Sequence, residues 1–106
     1  MSDIKPILVS FKKEVQNILG ENLQDVILFG SYARGENSSE SDIDLLMVLK
    51  NQEKSKVEYW NILGDTILKY DLLYNKLFSV KFASKKQYLN SQMPFYSELR
   101  KDGILI

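Results

Sequence analysis

The heptapeptide Ile43-Asp44-Leu45-Leu46-Met47-Val48-Leu49 is the strongest constraint on what this chain can fold into. Its last five residues form the longest unbroken apolar run in the sequence. Successive side chains of a strand point to opposite faces. A strand read from Ile43 to Leu49 is therefore apolar on both faces and belongs at the centre of a sheet covered on each side. Five residues are too few to span a membrane, and no N-terminal signal sequence is visible. At 106 residues the length suits one domain with one ordinary core.

The rest of the pattern supplies partners for that strand. Ile4, Ile7, Leu8, Phe11, Val15, Ile18 and Leu19 recur at helical spacing, with Pro6 in the first turn and Gly20 as a stop. Val26 to Phe29 reads as a buried strand ending at Gly30, and Tyr32 to Arg34 as a single helical turn. Gly35 to Ser41 is polar loop. Val57, Trp60, Leu63, Ile67 and Leu68 place a second long helix over Lys54 to Lys69, with Trp60 in the core. Asp71 to Tyr74 and Phe78 to Phe82 read as two short strands with a turn at Asn75-Lys76. Ser84 to Gln87 fits a capping box, and Pro94 opens a last helix that Gly103 ends. The expected order is helix, strand, strand, helix, strand, strand, helix. That is a small mixed sheet with helices packed on it, an α+β or α/β arrangement.

Composition excludes several chemistries. The chain has no histidine and no cysteine, which removes a Ser-His-Asp triad, a Cys-His pair, a Cys/His zinc site and disulfides. A cytoplasmic location is the expectation. Lys and Arg number 14, as do Asp and Glu, so broad charge-driven nucleic-acid binding is not expected. What chemistry remains must use carboxylates, hydroxyls, lysine, arginine or a metal held by oxygen.

One stretch concentrates such groups: GSYARGENSSESDIDLLMVL, Gly30 to Leu49, with ten residues between Ser31 and Asp42. A strand stopping at a glycine and turning into a helix exposes backbone N–H groups that suit phosphate, and Ser31 adds a hydroxyl. The plainer reading is a turn with Ser31 as N-cap. Asp42 and Asp44, two apart in a strand, share one face. Two such carboxylates resist ionising together unless a cation lies between them, and magnesium suits an all-oxygen site. The plainer reading is a solvated strand entrance. If the loop brings both ends together, metal and phosphate share one site, as nucleotide transfer requires.

Gly30-Ser31, ten residues, then Asp42-Ile43-Asp44 resembles the signature of nucleotidyltransferases related to DNA polymerase β. The short length is similar to the minimal nucleotidyltransferases, often encoded beside HEPN-domain toxins as toxin–antitoxin pairs. The match covers about a fifth of the chain, and the ending PFYSELRKDGILI resembles the same proteins more weakly. The resemblance implies the polymerase β-like nucleotidyltransferase fold. It also implies transfer of a nucleoside monophosphate, AMP from ATP or the equivalent from another NTP, to an acceptor hydroxyl. It assigns two divalent ions, magnesium or manganese, to Asp42 and Asp44. It assigns the nucleotide phosphates to Gly30 and Ser31. Arg34 is the nearest cation to the motif; it either pairs with phosphate or forms an ion pair with Glu36 or Glu40.

The family usually carries a third carboxylate on a following strand. Asp71, the only acidic residue between Asp65 and Glu98, is the nominee, with a helix-to-strand boundary as its plainer role. A tyrosine hydroxyl of a HEPN toxin is the implied acceptor. Because the chain is short, another protein or a second copy has to supply the acceptor. The competing expectation is a binding module that keeps the fold and neutralises a partner by complex formation. A free-standing antibiotic-modifying enzyme is a third and weaker expectation.

Overall fold

The computed structural model describes residues 3–106. Four strands form one mixed sheet in the order β3-β2-β1-β4. β1 is Leu23–Phe29, β2 is Ile43–Leu49, β3 is Phe78–Ser84 and β4 is Ile104–Leu105. β2 runs antiparallel to β1 and parallel to β3, while β4 pairs antiparallel with β1 through Ile27–Leu105 and Leu28–Ile104. β2 is thus an interior strand, as its two-sided apolar pattern demands, and Leu45 to Leu49 are all fully buried.

Alternation along β2 divides the molecule into two layers. Ile43, Leu45, Met47 and Leu49 face a large core with Val26 and Leu28 of β1 and Phe78, Val80 and Phe82 of β3. The helices α1, Lys5–Leu19, and α3, Lys56–Tyr74, close this face. Leu8, Phe11 and Val15 come from α1, and Tyr59, Leu63, Ile67 and Tyr70 from α3. The opposite face carries Leu46 and Val48, with Ile27 and Ala83. It is closed by Tyr96 and Leu99 of α5, Pro94–Asp102, and flanked by Tyr88 of α4, Lys85–Asn90.

Several sequence expectations change at α3. The helix extends through Asp71 to Tyr74, so the strand expected at Asp71 to Tyr74 does not form. It ends at Asn75, whose left-handed φ of 52° makes the αL stop. Its start is fixed by a capping box in which Ser55 accepts the Glu58 N–H and the Glu58 side chain accepts the Ser55 N–H. Trp60 is 46% exposed rather than core. The sequence offers two apolar stripes on this helix, and Tyr59-Leu63-Ile67-Tyr70 is the one turned inward. Tyr59 stacks on Phe82 at 5.4 Å, while Trp60 meets the same ring edge-on at 6.4 Å. β4 has no counterpart in the sequence expectation, because two residues become a strand only through their partner.

β1 starts three residues before the expected Val26 and β3 runs two past the expected Phe82, while the starts of α4 and α5 agree. Ser84 caps α4 by accepting the Gln87 N–H at 3.1 Å, and α5 runs between Pro94 and Gly103. No helix among the described residues is long and apolar enough to cross a membrane.

Candidate active site

The site is built where β1 ends and β2 begins. Phe29 lies opposite Asp44 in the antiparallel register. The next residue, Gly30, turns the chain with φ 75° and ψ −155° into α2, Ser31–Arg34. That backbone region is essentially closed to residues with a Cβ. A Cβ built on Gly30 would lie 2.2 Å from Asp44 Oδ2. The glycine is required twice, for its backbone angles and because the Asp44 carboxylate rests against its α-carbon. The two ends of the Gly30 to Leu49 stretch therefore meet at one place.

Ser31 is the first residue of α2, and Gly30, not Ser31, occupies the N-cap position. The Ser31 carbonyl accepts the Glu36 N–H at 2.9 Å, and its hydroxyl caps nothing in the helix. Arg34 at the end of α2 donates to Glu36 at 2.9 Å in an exposed ion pair. It also lines a cavity of about 250 Å³ with Phe29, Gly30, Phe95, Glu98 and Asp102.

Asp44 points to the same face as Leu46 and Val48, the more thinly covered side of the sheet. Burial pushes its carboxyl above the ordinary aspartate range, and the neighbouring charge of Asp42 pushes the same way. Lys81, Arg34 and a hydrogen bond from Ser79 pull it partly back. Burial is the larger of the two causes and the charge of Asp42 the smaller. Two carboxylate oxygen donors beside each other have the chemistry to hold a divalent cation.

Asp71 does not complete a trio. It sits in the last turn of α3, where its Oδ1 accepts the Phe78 N–H at 2.7 Å. It shares a polar pocket with Asp42, Ser41, Asn75 and Lys76. Among the described residues, no three acidic side chains come together in a group able to hold a metal. What is corrected is the strand expected at Asp71. The helix persists past Asp71, and the carboxylate secures the α3–β3 connection.

The following strand is β3, with the sequence Phe78-Ser-Val-Lys-Phe-Ala-Ser84, and it contains no acidic residue. Its parallel register sets Ser79 beside Asp44, Lys81 beside Leu46 and Ala83 beside Val48. Lys81 also lies on the Asp44 face, a placement that the sequence alone does not reveal. The signal that finds it is period-two counting from Ser79 once the register is known.

Comparison with known proteins gives the family. The family described as Nucleotidyltransferase domain matches residues 8–98. A Methanocaldococcus jannaschii protein named "Putative protein adenylyltransferase MJ0141" is 42% identical over 77 residues, covering 71% of this chain and 78% of that protein. "Protein adenylyltransferase MntA" of Thermococcus cleftensis is 38% identical over 47 residues, 44% of this chain and 46% of that protein. Among solved structures, a chain from a toxin-antitoxin crystal structure with AMP-PNP superposes with a TM-score of 0.63. It covers 91% of this chain and 69% of the other at 16% identity, a likeness of fold.

Proposed function

This chain belongs to the nucleotidyltransferase domain family, and from that premise we propose that it is a divalent-metal-dependent protein adenylyltransferase that moves AMP from ATP to a hydroxyl of a partner protein. The observation that carries the reading is the contact between the Asp44 carboxylate and the α-carbon of Gly30. It joins the paired carboxylates to a turn without side-chain bulk, where a cation and a triphosphate fit side by side.

Asp42 and Asp44 are the cation ligands in this reading, and Gly30 and Ser31 the phosphate contacts. A bound magnesium or manganese ion supplies charge neutralisation on the triphosphate. The chain's own residues do the rest. Asp44, wedged between Gly30 and Ser79, fixes the ligand direction. Gly30 lets phosphate oxygens approach the backbone, and the Ser31 hydroxyl is available to donate to them. Arg34 contributes positive charge near the turn while paired with Glu36. In the transfer, the acceptor oxygen bonds to the α-phosphorus and the bond to the bridging β-oxygen breaks. Pyrophosphate leaves and the acceptor proton passes to water.

The acceptor in this reading is a tyrosine of a HEPN-type toxin, and the modification silences it in the cytoplasm. The names of the relatives and the toxin-antitoxin source of the similar structure support a protein acceptor. A second reading is favoured by one observation, the lack of any acidic residue on β3. In it the fold binds nucleotide weakly and neutralises its partner by complex formation alone.

The deciding experiment mixes the chain, α-labelled ATP, magnesium and the product of the adjacent gene. We expect label on the partner, lost by at least a hundredfold in Asp42→Asn/Asp44→Asn. Unchanged labelling by the double variant overturns the site assignment. Full neutralisation by the double variant, without label, establishes the second reading.

A further inference from the structure

We propose that this site holds one divalent cation, between Asp42 and Asp44, and that the ammonium of Lys81 stands in for a second ion and binds the triphosphate. The inference rests on the nucleotidyl-transfer reading and deepens it.

The resemblance implies two ions and a third carboxylate on the strand after Asp-x-Asp. β3 is that strand, and on the Asp44 face it presents Ser79, Lys81 and Ala83. Lys81 is two residues along from the position opposite Asp44, about 7 Å of strand. A lysine side chain, a charge on a flexible four-carbon stem, bridges such a distance. Asp71 lies on α3, not on this strand, and one of its carboxylate oxygens accepts the Phe78 N–H. Two carboxylates balance one divalent ion. A second would have to share Asp44 and sit against an ammonium of its own sign, an arrangement that repels both.

The triphosphate nevertheless needs more positive charge than one ion gives. ATP with a single divalent ion keeps about two negative charges, and charge-assisted hydrogen bonds are the usual means of holding them. Arg34 is engaged by Glu36. Lys81 is exposed and forms no salt bridge among the described residues. Lys76, near Asp42, is occupied otherwise: it donates to the Ser39 carbonyl at 3.2 Å and lies over the Tyr32 ring. Lys81 is therefore the uncommitted cation on the Asp44 face. A lysine is a compact charge on a flexible stem, suited to phosphate and unable to ligate a metal while protonated.

The test measures binding as well as transfer. Equilibrium dialysis of Mn2+ with a saturating non-hydrolysable ATP analogue counts ions per chain, and calorimetry gives analogue affinity. We expect one ion on the wild-type chain. Lys81→Met should keep that one ion and weaken the analogue about ten- to a hundredfold, the scale of one lost charge-assisted hydrogen bond. Lys81→Arg should retain most of the affinity. Ser79→Asp combined with Lys81→Met, which puts a carboxylate beside Asp44 and removes the ammonium, should bind two ions. Circular dichroism checks that these surface variants fold. Two ions on the wild-type chain, unchanged analogue affinity in Lys81→Met, or a single ion on Ser79→Asp/Lys81→Met each overturn the inference. Two ions together with Asp42-dependent labelling of the partner overturn it alone. Failure of the wild-type chain to bind the analogue overturns the nucleotidyl-transfer reading as well.

Discussion

The two faces of the sheet are made from the same strands, yet they are built to different ends. On one, α1 and α3 bring Phe11, Leu63 and Tyr70 onto Ile43, Leu45, Met47 and Phe78, and the rings pack closely: Phe11 lies 5.0 Å from Tyr70 and 5.2 Å from Phe78. On the other, the buried cluster is six residues, Ile27, Leu46, Val48, Ala83, Tyr96 and Leu99, and it stops short of Asp44. The first face fills its space with apolar side chains. The second leaves the start of β2 uncovered, so that the Asp42 and Asp44 carboxylates keep access to solvent ions. The difference teaches where stability and chemistry are separated: odd-numbered residues of β2 carry the core, and Asp44 carries the site from the same strand. Substitutions that touch one face and spare the other test that separation.

Gly30→Ala should have the largest effect, because Gly30 serves both ends. Its φ and ψ are closed to alanine, and the new methyl would overlap the Asp44 carboxylate. Strain and overpacking together cost roughly 2–6 kcal/mol. Thermal unfolding should show a fall of many degrees, and nucleotide binding should be lost with it. A variant with wild-type melting temperature and intact analogue affinity would show that the turn and Asp44 are not in contact in solution.

Asp71→Ala comes next and should behave as a thick-face change. It removes the acceptor for the Phe78 N–H at the entry to β3. A backbone donor left without its charged partner costs about 1–3 kcal/mol. Denaturant unfolding should register that loss, while Mn2+ stoichiometry and analogue affinity stay at wild-type values. Loss of bound metal at unchanged stability would instead return Asp71 to the site as a ligand.

The contrast between Asp71 and Asp44 also shows what the sequence makes legible. The β2 segment announces itself, since two-sided apolarity over Ile43 to Leu49 leaves few alternatives to an interior strand. The glycine turn, α2, α4 and α5 follow from local signals: Gly30, Ser84, Pro94 and Gly103 each act within one turn of chain. The candidate site residues Gly30, Ser31, Asp42 and Asp44 come from one contiguous stretch, so spacing alone brings them into view. The helical position of Asp71 and the place of Lys81 beside Leu46 were out of view for the same reason. Their roles depend on how far α3 runs and on the register of β3 against β2, which are tertiary facts. Trp60 was misassigned because α3 has two apolar stripes, and only packing against Phe82 decides which turns inward. β4 depends on pairing with Ile27 and Leu28 and has no local signature.

The smallest expected effect has the opposite sign. Asp44 ionises less readily in the folded chain than in the unfolded one, because burial and Asp42 both disfavour its charge. The folded state therefore holds the proton more tightly, and stability declines as pH rises from the ordinary aspartate range through the raised native value. Above that window the full penalty is present; below it the penalty is absent. Asp44→Asn removes the charge, so without metal it should melt slightly higher than wild type at neutral pH. Solvent screening keeps the gain below about 1 kcal/mol. The gain should vanish in acid, where wild-type Asp44 is protonated too. Added Mg2+ should reverse the order at neutral pH, since a ligand bound only by the folded wild-type chain raises its stability and not that of the variant. Melting curves at two pH values, with and without Mg2+, give the four measurements. If Asp44→Asn melts lower than wild type under all four conditions, the carboxylate contributes to the packing of its own face and the separation between the two faces fails at its defining residue.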